Sequence, residues 1–525
     1  MKTAHLTIIA TFCSFIGISF SGASAEELSM GGPVQTIHYQ FSQMAASGND
    51  VYVTYQENIG NGVGASVFFR KSWDSGSNFN GIIKLSSGTN AANPLVAASG
   101  NDVYVTWMEN WGGRGISYAM FERSSDGGNT FSAPIRISNG DGDANPRQII
   151  ANGSNVYILI DYALHGNTMA RFSFLASHDN GATFGNSITL LEDTRGLAYI
   201  STSEDGNTVY AFGEGSGKCP IGTMKCNYDI FLKKSTDSGL SFGEPDIIRT
   251  TNAQIFFPQI ASPDTSVYLV WEERISGNSK LFFVKSNNLG TTFSKPIVIN
   301  QQTGESSFPH MAANGKNVFL VWDYSNESVI SSERRHHDIM IDSPVSGFFF
   351  TKSSDGGNSF SDPINLSNAV GTSYLSNIAA SGNDVFVSWG SKFGDKENVF
   401  IRKSMDGGTS FDDTIKLTDE KQDYFQKQMV SSGRNVYVAI DTAFPGDDLF
   451  LTTSHDFGNT FGNLVNLNHE GLLHLGPPSK VPAVQVYPEN SHADDLYNAI
   501  LLAAVGVPIA IGVSIGMLLF TRKRK

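Results

Sequence analysis

The chain has 525 residues, of which 40% are hydrophobic and 16% charged, and a formal net charge of −14. Such an acidic balance excludes a surface that holds nucleic acid, or anionic surfaces in general, through a basic field. Residues 1–25 read as a secretory signal: Lys2 is the charged start, Leu6 to Phe20 is apolar, and Ala23-Ser24-Ala25 is a small-x-small cleavage site. Cleavage there would leave Glu26 at the mature N-terminus.

From about Pro33 the chain repeats itself. One short stretch, clearest as Ser124-Ser125-Asp126-Gly127-Gly128-Asn129-Thr130-Phe131, occurs eight times as S-x-D-x-G-x-x-F. Its acidic position is Asp74, Asp126, Asp179, Asp237, Asn288 (the one amide), Asp355, Asp406 and Asp456, with successive gaps of 52, 53, 58, 51, 67, 51 and 50 residues. A period near 50 is an array of like supersecondary units. The motif has a local meaning: Asp accepts backbone N–H groups further along the turn, Gly supplies a positive φ, and Phe buries its ring. These eight residues are therefore expected to be structural.

Each repeat runs in the same order. A short stretch such as Pro94-Leu95-Val96-Ala97-Ala98 leads to a turn, Ser99-Gly100-Asn101-Asp102, and an alternating strand, Val103-Tyr104-Val105-Thr106-Trp107. A third strand enters the motif, as Val67-Phe68-Phe69-Arg70-Lys71 does, and a fourth leaves it, as Pro134-Ile135-Arg136-Ile137 does. Four strands per repeat around an axis make a propeller blade. Second strands begin at Val51, Val103, Val156, Val209, Val267, Val318, Val385 and Val436, one for each motif. The expectation is an all-β fold: one eight-bladed β-propeller over residues 33–468, with Val34–His38 as a candidate strand to close the last blade.

The motif resembles the Asp box (BNR repeat) of sialidase-type β-propellers, and the resemblance covers most of the chain. It implies the propeller fold; Asp boxes also occur in propellers that are not sialidases. For activity, the resemblance implies an arginine triad, a Tyr–Glu pair and an acid/base Asp, with the first arginine in an Arg-Ile-Pro motif. No Arg-Ile-Pro occurs here. Family sialidases have six blades, where this chain has eight motifs. The acidic balance also sits awkwardly with an anionic sugar.

Two repeats carry insertions. One holds Cys219 and Cys226, which read as a disulfide stapling a loop outside the cytoplasm, since Cys13 leaves with the signal. The other holds His336-His337-Asp338, read as a solvated charged loop in preference to a metal site. Asp141-Gly142-Asp143 is the local candidate for weak Ca²⁺ binding, set against a polar turn; no cofactor is otherwise expected. Sequons stand at Asn152, Asn326 and Asn365. Residues 469–496, with Pro477, Pro478, Pro482 and Pro488, read as an extended stalk. Residues 498–520 read as a transmembrane helix, with an uncharged apolar run from Ala499 to Phe520, and the basic residues 521–525 as a cytoplasmic tail. The expected topology is single-pass in the cell membrane, with the propeller outside.

Aligned on the turn that follows, the innermost strands present Gln43, Leu95, Gln148, Ser201, Gln259, His310, Asn377 and Gln428. The polar ones, Gln43, Gln148, Gln259, His310, Asn377 and Gln428, are expected to line the central channel. Arg147 is the one arginine close to this ring, so no catalytic residue is assigned. Carboxylates recur at the end of the second strand: Glu57, Glu109, Asp161, Glu214, Glu272 with Glu273, Asp323 and Asp441. Such recurrence favours structural acceptors over paired glycosidase acids. Trp107, Trp271, Trp322 and Trp389 recur just before them and suit packing between blades. Taken together, these features favour a surface propeller that binds a glycan or an envelope protein. A sialidase-like exo-glycosidase and a structural envelope component are the rival readings.

Overall fold

In the computed structural model the described residues are 42–469 and 479–480, apart from loop positions 59–63, 88, 111–115, 141, 164–169, 195–197, 216–226, 276–277, 301–303, 326–345, 368–372, 394–395, 420 and 443–447. They form eight antiparallel sheets, each with four strands drawn from one contiguous repeat. Blade 1 is Ser42–Ser47, Asp50–Asn58, Ala65–Ser72 and Ile83–Lys84, in that order from the inside out. The other inner strands are Thr89–Ser99, Asp143–Asn152, Ala198–Thr202, Gln254–Ala261, Glu305–Asn314, Ser373–Ser381 and Tyr424–Ser432, for blades 2 to 8. Inner strands of neighbouring blades touch all the way round, and Tyr424–Ser432 touches Ser42–Ser47. The chain is thus an eight-bladed β-propeller.

Among the described residues, closure uses no strand exchanged between the two ends. Blade 8 takes all four of its strands from the stretch Tyr424–Asn466. The ring is shut by side chains: Gln428 accepts the Met44 N–H through Oε1 at 2.7 Å and donates through Nε2 to the Met44 carbonyl at 3.1 Å. Val34–His38 lies outside the described residues. Part of the predicted stalk does join the sheet: Ser479–Lys480 pairs with Ile415–Lys416 as a fifth strand on the outer edge of blade 7.

Period-2 alternation divides each blade between two neighbours. Val51, Val53 and Tyr55 pack with Leu449 and Leu451 of blade 8, whereas Tyr52, Val67 and Phe69 pack with Val103, Val105 and Trp107 of blade 2. The core is therefore eight clusters, one per blade interface. Trp107, Trp271, Trp322 and Trp389 are all buried in these interfaces, so their role is packing.

Hydrogen bonds within the motif close the repeated turn. In the second copy, the Ser124 hydroxyl donates to Asp126 Oδ1 at 2.7 Å and accepts the Gly128 N–H at 2.8 Å. Asp126 Oδ1 accepts the Thr130 N–H at 2.9 Å, and Oδ2 accepts the Thr130 hydroxyl at 2.6 Å. Asn288 keeps the Oδ1 bonds but donates its amide to Thr292 Oγ1 at 2.9 Å, so the amide fits with one bond reversed. The turns also lock blade to blade. Phe131 stands edge-on to Phe69 of the preceding blade at 4.8 Å, and Lys71 Nζ of that blade donates to the Gly127 carbonyl at 2.9 Å.

Hydrogen bonds to the carboxylates hold these acids well below the usual range. Thr183 brings Asp179, and Ser241 brings Asp237, down to about 2; Asp126, Asp355 and Asp406 are lowered in the same way. A depressed carboxylate stabilises the fold above its unfolded pKa and loses that contribution as pH falls through the folded one. The melting temperature should therefore fall steeply between about pH 4 and pH 2. Asp179→Asn, which copies the blade 5 turn, should flatten that acid limb in circular-dichroism melts. An acid limb identical to the parent's would refute this account of the turns.

Candidate functional site

The propeller has two unlike faces. Turns between first and second strands, and the repeated turns, share one face: the Ser75 N–H donates to the Asn49 carbonyl, as Gly127 does to Asn101. The opposite, loop face carries the connections between second and third strands and those between blades. The strands that flank both insertions, Val209–Gly215 with Tyr228–Ser235 and Asn317–Ser325 with Ser346–Ser353, are second and third strands of their blades.

At the channel, register fixes the ring. Gln43, Leu95, Gln148, Gln259, His310, Asn377 and Gln428 lie opposite equivalent second-strand positions, Thr54, Thr106, Leu159, Val270, Val321, Ser388 and Ala439. Blade 4 departs from the sequence alignment. There Phe212 is the equivalent position, and Tyr199 lies opposite it; Ser201 lies two residues further along, opposite Tyr210. The turn Ser203–Thr208 is longer than its counterparts, so an alignment on the turn slipped by two.

Three of the ring glutamines are engaged in joining blades. Gln148 exchanges two hydrogen bonds with Ile200, both 2.9 Å. Gln259 accepts the Met311 N–H at 2.9 Å, and Gln428 clasps Met44 as above. Each reaches the residue after the next blade's ring position. All six predicted polar ring residues are half-buried.

The recurrent carboxylates fall into two sets that sequence spacing did not separate. Glu57, Glu109 and Glu273 lie on the tryptophan side and face the preceding blade. Trp107 Nε1 donates to Glu109 at 2.7 Å, and Trp271 Nε1 to Glu273 at 3.0 Å. Asp161, Glu214, Glu272, Asp323 and Asp441 are one residue out of phase and face the following blade. Arg147 pairs with Asp161 at 2.6 Å and Lys427 with Asp441 at 2.9 Å, all nearly buried. Glu272 is fully buried, pairs with Arg274 at 2.6 Å and accepts the Phe308 N–H of blade 6 at 3.3 Å.

That last bond marks the most unusual part of the channel mouth. Phe257 and Phe308 precede prolines in the inner-strand bulges of blades 5 and 6, and both have left-handed backbones, φ 50° and 55°. Blade 2 puts Asn93 at the same place with φ 53°, a residue that tolerates it. A phenylalanine does not, and such strain persists where the surroundings over-determine it. The two half-exposed rings lie 4.4 Å apart. Phe256 adjoins them at 6.0 Å from Phe257, with the Arg274 guanidinium 4.7 Å over its ring.

Acids and a neutral imidazole surround this aromatic pair. Burial raises both Glu272 and Glu305, and Arg274 opposes the rise in each. Burial pushes His310 down to about 4, so its ring is uncharged at neutral pH; its Nδ1 is 3.4 Å from Gln259 Nε2. Arg274 Nε is buried with no hydrogen-bond partner among the described residues. Flat apolar faces beside fixed acceptors and a donor suit a polyhydroxylated ring, which offers C–H faces and hydroxyl edges. Sequence reasoning passed over Phe257 and Phe308; the signal was the Phe-Pro pair standing just before the ring position in two adjacent repeats.

In blades 3 and 4 the same face holds a second group. Burial pushes Glu214 up to about 8 and Tyr199 to about 12, with Arg147 lowering Tyr199. Asp161 Oδ1 is buried without a hydrogen-bond partner among the described residues. A separate cleft of about 470 Å³ lies on the outer rim of these blades, between Leu191, Phe231, Lys233 and Ile247, away from the channel.

Cys219, Cys226, His336-His337-Asp338, the signal and the run Ala499–Phe520 lie outside the described residues. Among the described residues no helix is long and apolar enough to cross a membrane, and no group of three or more metal-ligating side chains occurs. Asp143 of the candidate Ca²⁺ turn accepts the Ser117 N–H at 2.7 Å, and Asp141 is outside the described residues.

No family model matches the chain, and no curated protein matches it. Solved structures similar to it include a PL25 ulvan lyase bound to a GlcA(1-4)Rha3S saccharide, at 10% identity over 79% of this chain and 91% of that one, TM-score 0.44. A Hadza microbial sialidase is 13% identical over 65% of this chain and 74% of its own, TM-score 0.34. An α-L-arabinanase of Penicillium chrysogenum is 14% identical over 70% and 93%, TM-score 0.36. Likeness at this level leaves function to be argued from the side chains.

Proposed function

We propose that this chain is a membrane-anchored, cell-surface propeller that binds carbohydrate at the loop-side mouth of its channel, in the sector of blades 5 and 6. The observation that carries this is the pair Phe257 and Phe308, held 4.4 Å apart in strained left-handed conformations beside Glu272 and Glu305. The rings supply a stacking platform, and the half-buried Glu305 supplies a hydroxyl partner. Two acids against Arg274 alone favour a neutral saccharide over an anionic one. Anchoring rests on the apolar run Ala499–Phe520 and the basic residues after it.

The test is retention on a panel of neutral and acidic glycans, with calorimetry on the best ligand. Phe308→Ala should weaken binding by about 10- to 100-fold, the worth of one buried aromatic contact. Equal affinity in the variant would refute the platform.

Glycoside hydrolysis is the second reading. It is favoured by Glu214, held protonated to about pH 8, in the neighbouring blade to Asp161, which Arg147 fixes. Product masses followed over time on the same panel decide it: turnover that Glu214→Gln abolishes establishes hydrolysis, and none refutes it.

A further inference from the structure

The turn face carries a feature that neither the fold nor the saccharide site explains. Trp73, Met405 and Phe457 are 55%, 45% and 38% exposed. They sit on the repeated turns of blades 1, 7 and 8, which are consecutive round the ring. Trp73 and Met405 follow the motif serine, where the other six turns have Ser125, His178, Thr236, Asn287, Ser354 and His455. Phe457 follows the motif Asp with φ 59°, a position where six of the other seven turns have Gly, Asn or Ser. Here the chain accepts backbone strain in order to present a phenylalanine to solvent. His455 Nε2 lies 3.4 Å from Ser77 Oγ and ties the turn of blade 8 to that of blade 1. Leu240, 67% exposed on the turn of blade 4, is a further apolar side chain on this face, across the ring.

The chain's exit points the same way. Ile415–Lys416 leads away from the blade 7 turn, and Ser479–Lys480 is antiparallel to it, with Lys480 opposite Ile415. At Lys480 the strand is therefore directed towards the turn face, on the outer edge of the blade that carries Met405. Eighteen residues then precede Ala499, enough to span about 60 Å when extended.

We infer that the turn face of blades 7, 8 and 1 is seated on the lipid bilayer, with Trp73, Phe457 and Met405 at the interface. This rests on reading Ala499–Phe520 as a membrane span. Tryptophan prefers the headgroup region, where its ring is half apolar and its N–H still finds water. The motif acids do not oppose contact, because Asp74, Asp406 and Asp456 are turned onto Asn78, Ser410 and Thr460 of their own turns. An acidic protein gains nothing from anionic lipid, so the apolar side chains carry the interaction, and the tether supplies a high local concentration. The seating also points the saccharide site away from the membrane.

The test uses the full chain in phosphatidylcholine vesicles, with and without brominated acyl chains. Subtracting the emission of Trp73→Phe isolates Trp73. Its signal should be blue-shifted, quenched at least twofold by brominated lipid and shielded from aqueous iodide. Phe457→Gly, which removes the left-handed strain, should raise the melting temperature while restoring iodide access to Trp73. Release of the protein by alkaline carbonate would remove the anchor, and the seating with it. Retention of the protein with Trp73 open to iodide would overturn the seating alone. Shielding from iodide without quenching by brominated lipid would mean that protein covers the face, and would equally overturn it.

Discussion

Gly408→Ala should destabilise the propeller by about 3 kcal/mol, whereas Gly407→Ala, one residue earlier, should cost only about 1 kcal/mol. Both glycines have left-handed backbones, φ 74° and 68°, so both substitutions carry the same conformational penalty. They differ in space. A Cβ on Gly407 would meet nothing within 4 Å, but one on Gly408 would lie 2.5 Å from Phe350 Cζ and 2.8 Å from Cε1. Phe350 belongs to blade 6 and is itself held edge-on by Phe411 at 4.9 Å, so it cannot retreat without opening the blade interface. Urea unfolding of the two variants separates the terms. Equal losses would mean that the motif glycine is chosen for its backbone alone, and that the turn is not a latch between blades.

That latch explains why the fold was legible before any coordinate. Eight turns whose Gly, Phe and Ser each have a steric or hydrogen-bonding reason repeat at a near-constant period, so the number of units follows from counting. The preceding cation, as at Lys71, Arg123 and Lys234, was equally present in the sequence. Its role was not legible, because these side chains reach the next repeat: Arg123 Nη1 to the Asn180 carbonyl at 3.2 Å, and Lys234 Nζ to that of Leu289 at 3.3 Å. Contacts between repeats leave no mark on the spacing within one.

The site was less legible for two physical reasons. The carboxylates stand five or six residues after the first valine of the second strand, and taken as one series they conceal that the two spacings point to opposite faces of the blade. Glu272 and Glu273 are adjacent in sequence but serve opposite interfaces, one accepting Phe308 N–H and the other Trp271 Nε1. Composition cannot show a left-handed φ on a bulky residue. Phe256-Phe257-Pro258 reads as the apolar start of a strand, and only backbone geometry shows that Phe257 is turned out of the sheet's regular course. The blade 4 ring position failed for a simpler reason, since the longer turn Ser203–Thr208 moved the alignment from Tyr199 to Ser201.

The same sheets hold acids that act in the opposite sense to those of the turns. Glu122 is 4% exposed in the interface between blades 1 and 2, and burial, reinforced by the Glu109 charge, pushes its carboxyl up to about 8. A group raised in this way binds its proton more tightly when folded, so its cost is absent below the unfolded pKa, near 4.5, grows as pH rises, and is complete above about 8. Glu122→Gln removes the charge and keeps the shape. The variant should match the parent at pH 4 and exceed it by about 3 kcal/mol at pH 9, less than the full shift because neighbouring groups relax around a buried charge. Urea unfolding at the two pH values reads the difference directly. A gain of equal size at both would assign the effect to packing. Substituting Glu214, which burial also pushes up to about 8, would then test whether any acid of this propeller is held neutral by its surroundings. A pH-dependent gain at Glu122, with no gain at Glu214 at either pH, would mean that a partner at the channel mouth already holds the Glu214 charge. That would weaken the case for Glu214 as a proton donor to a bound sugar.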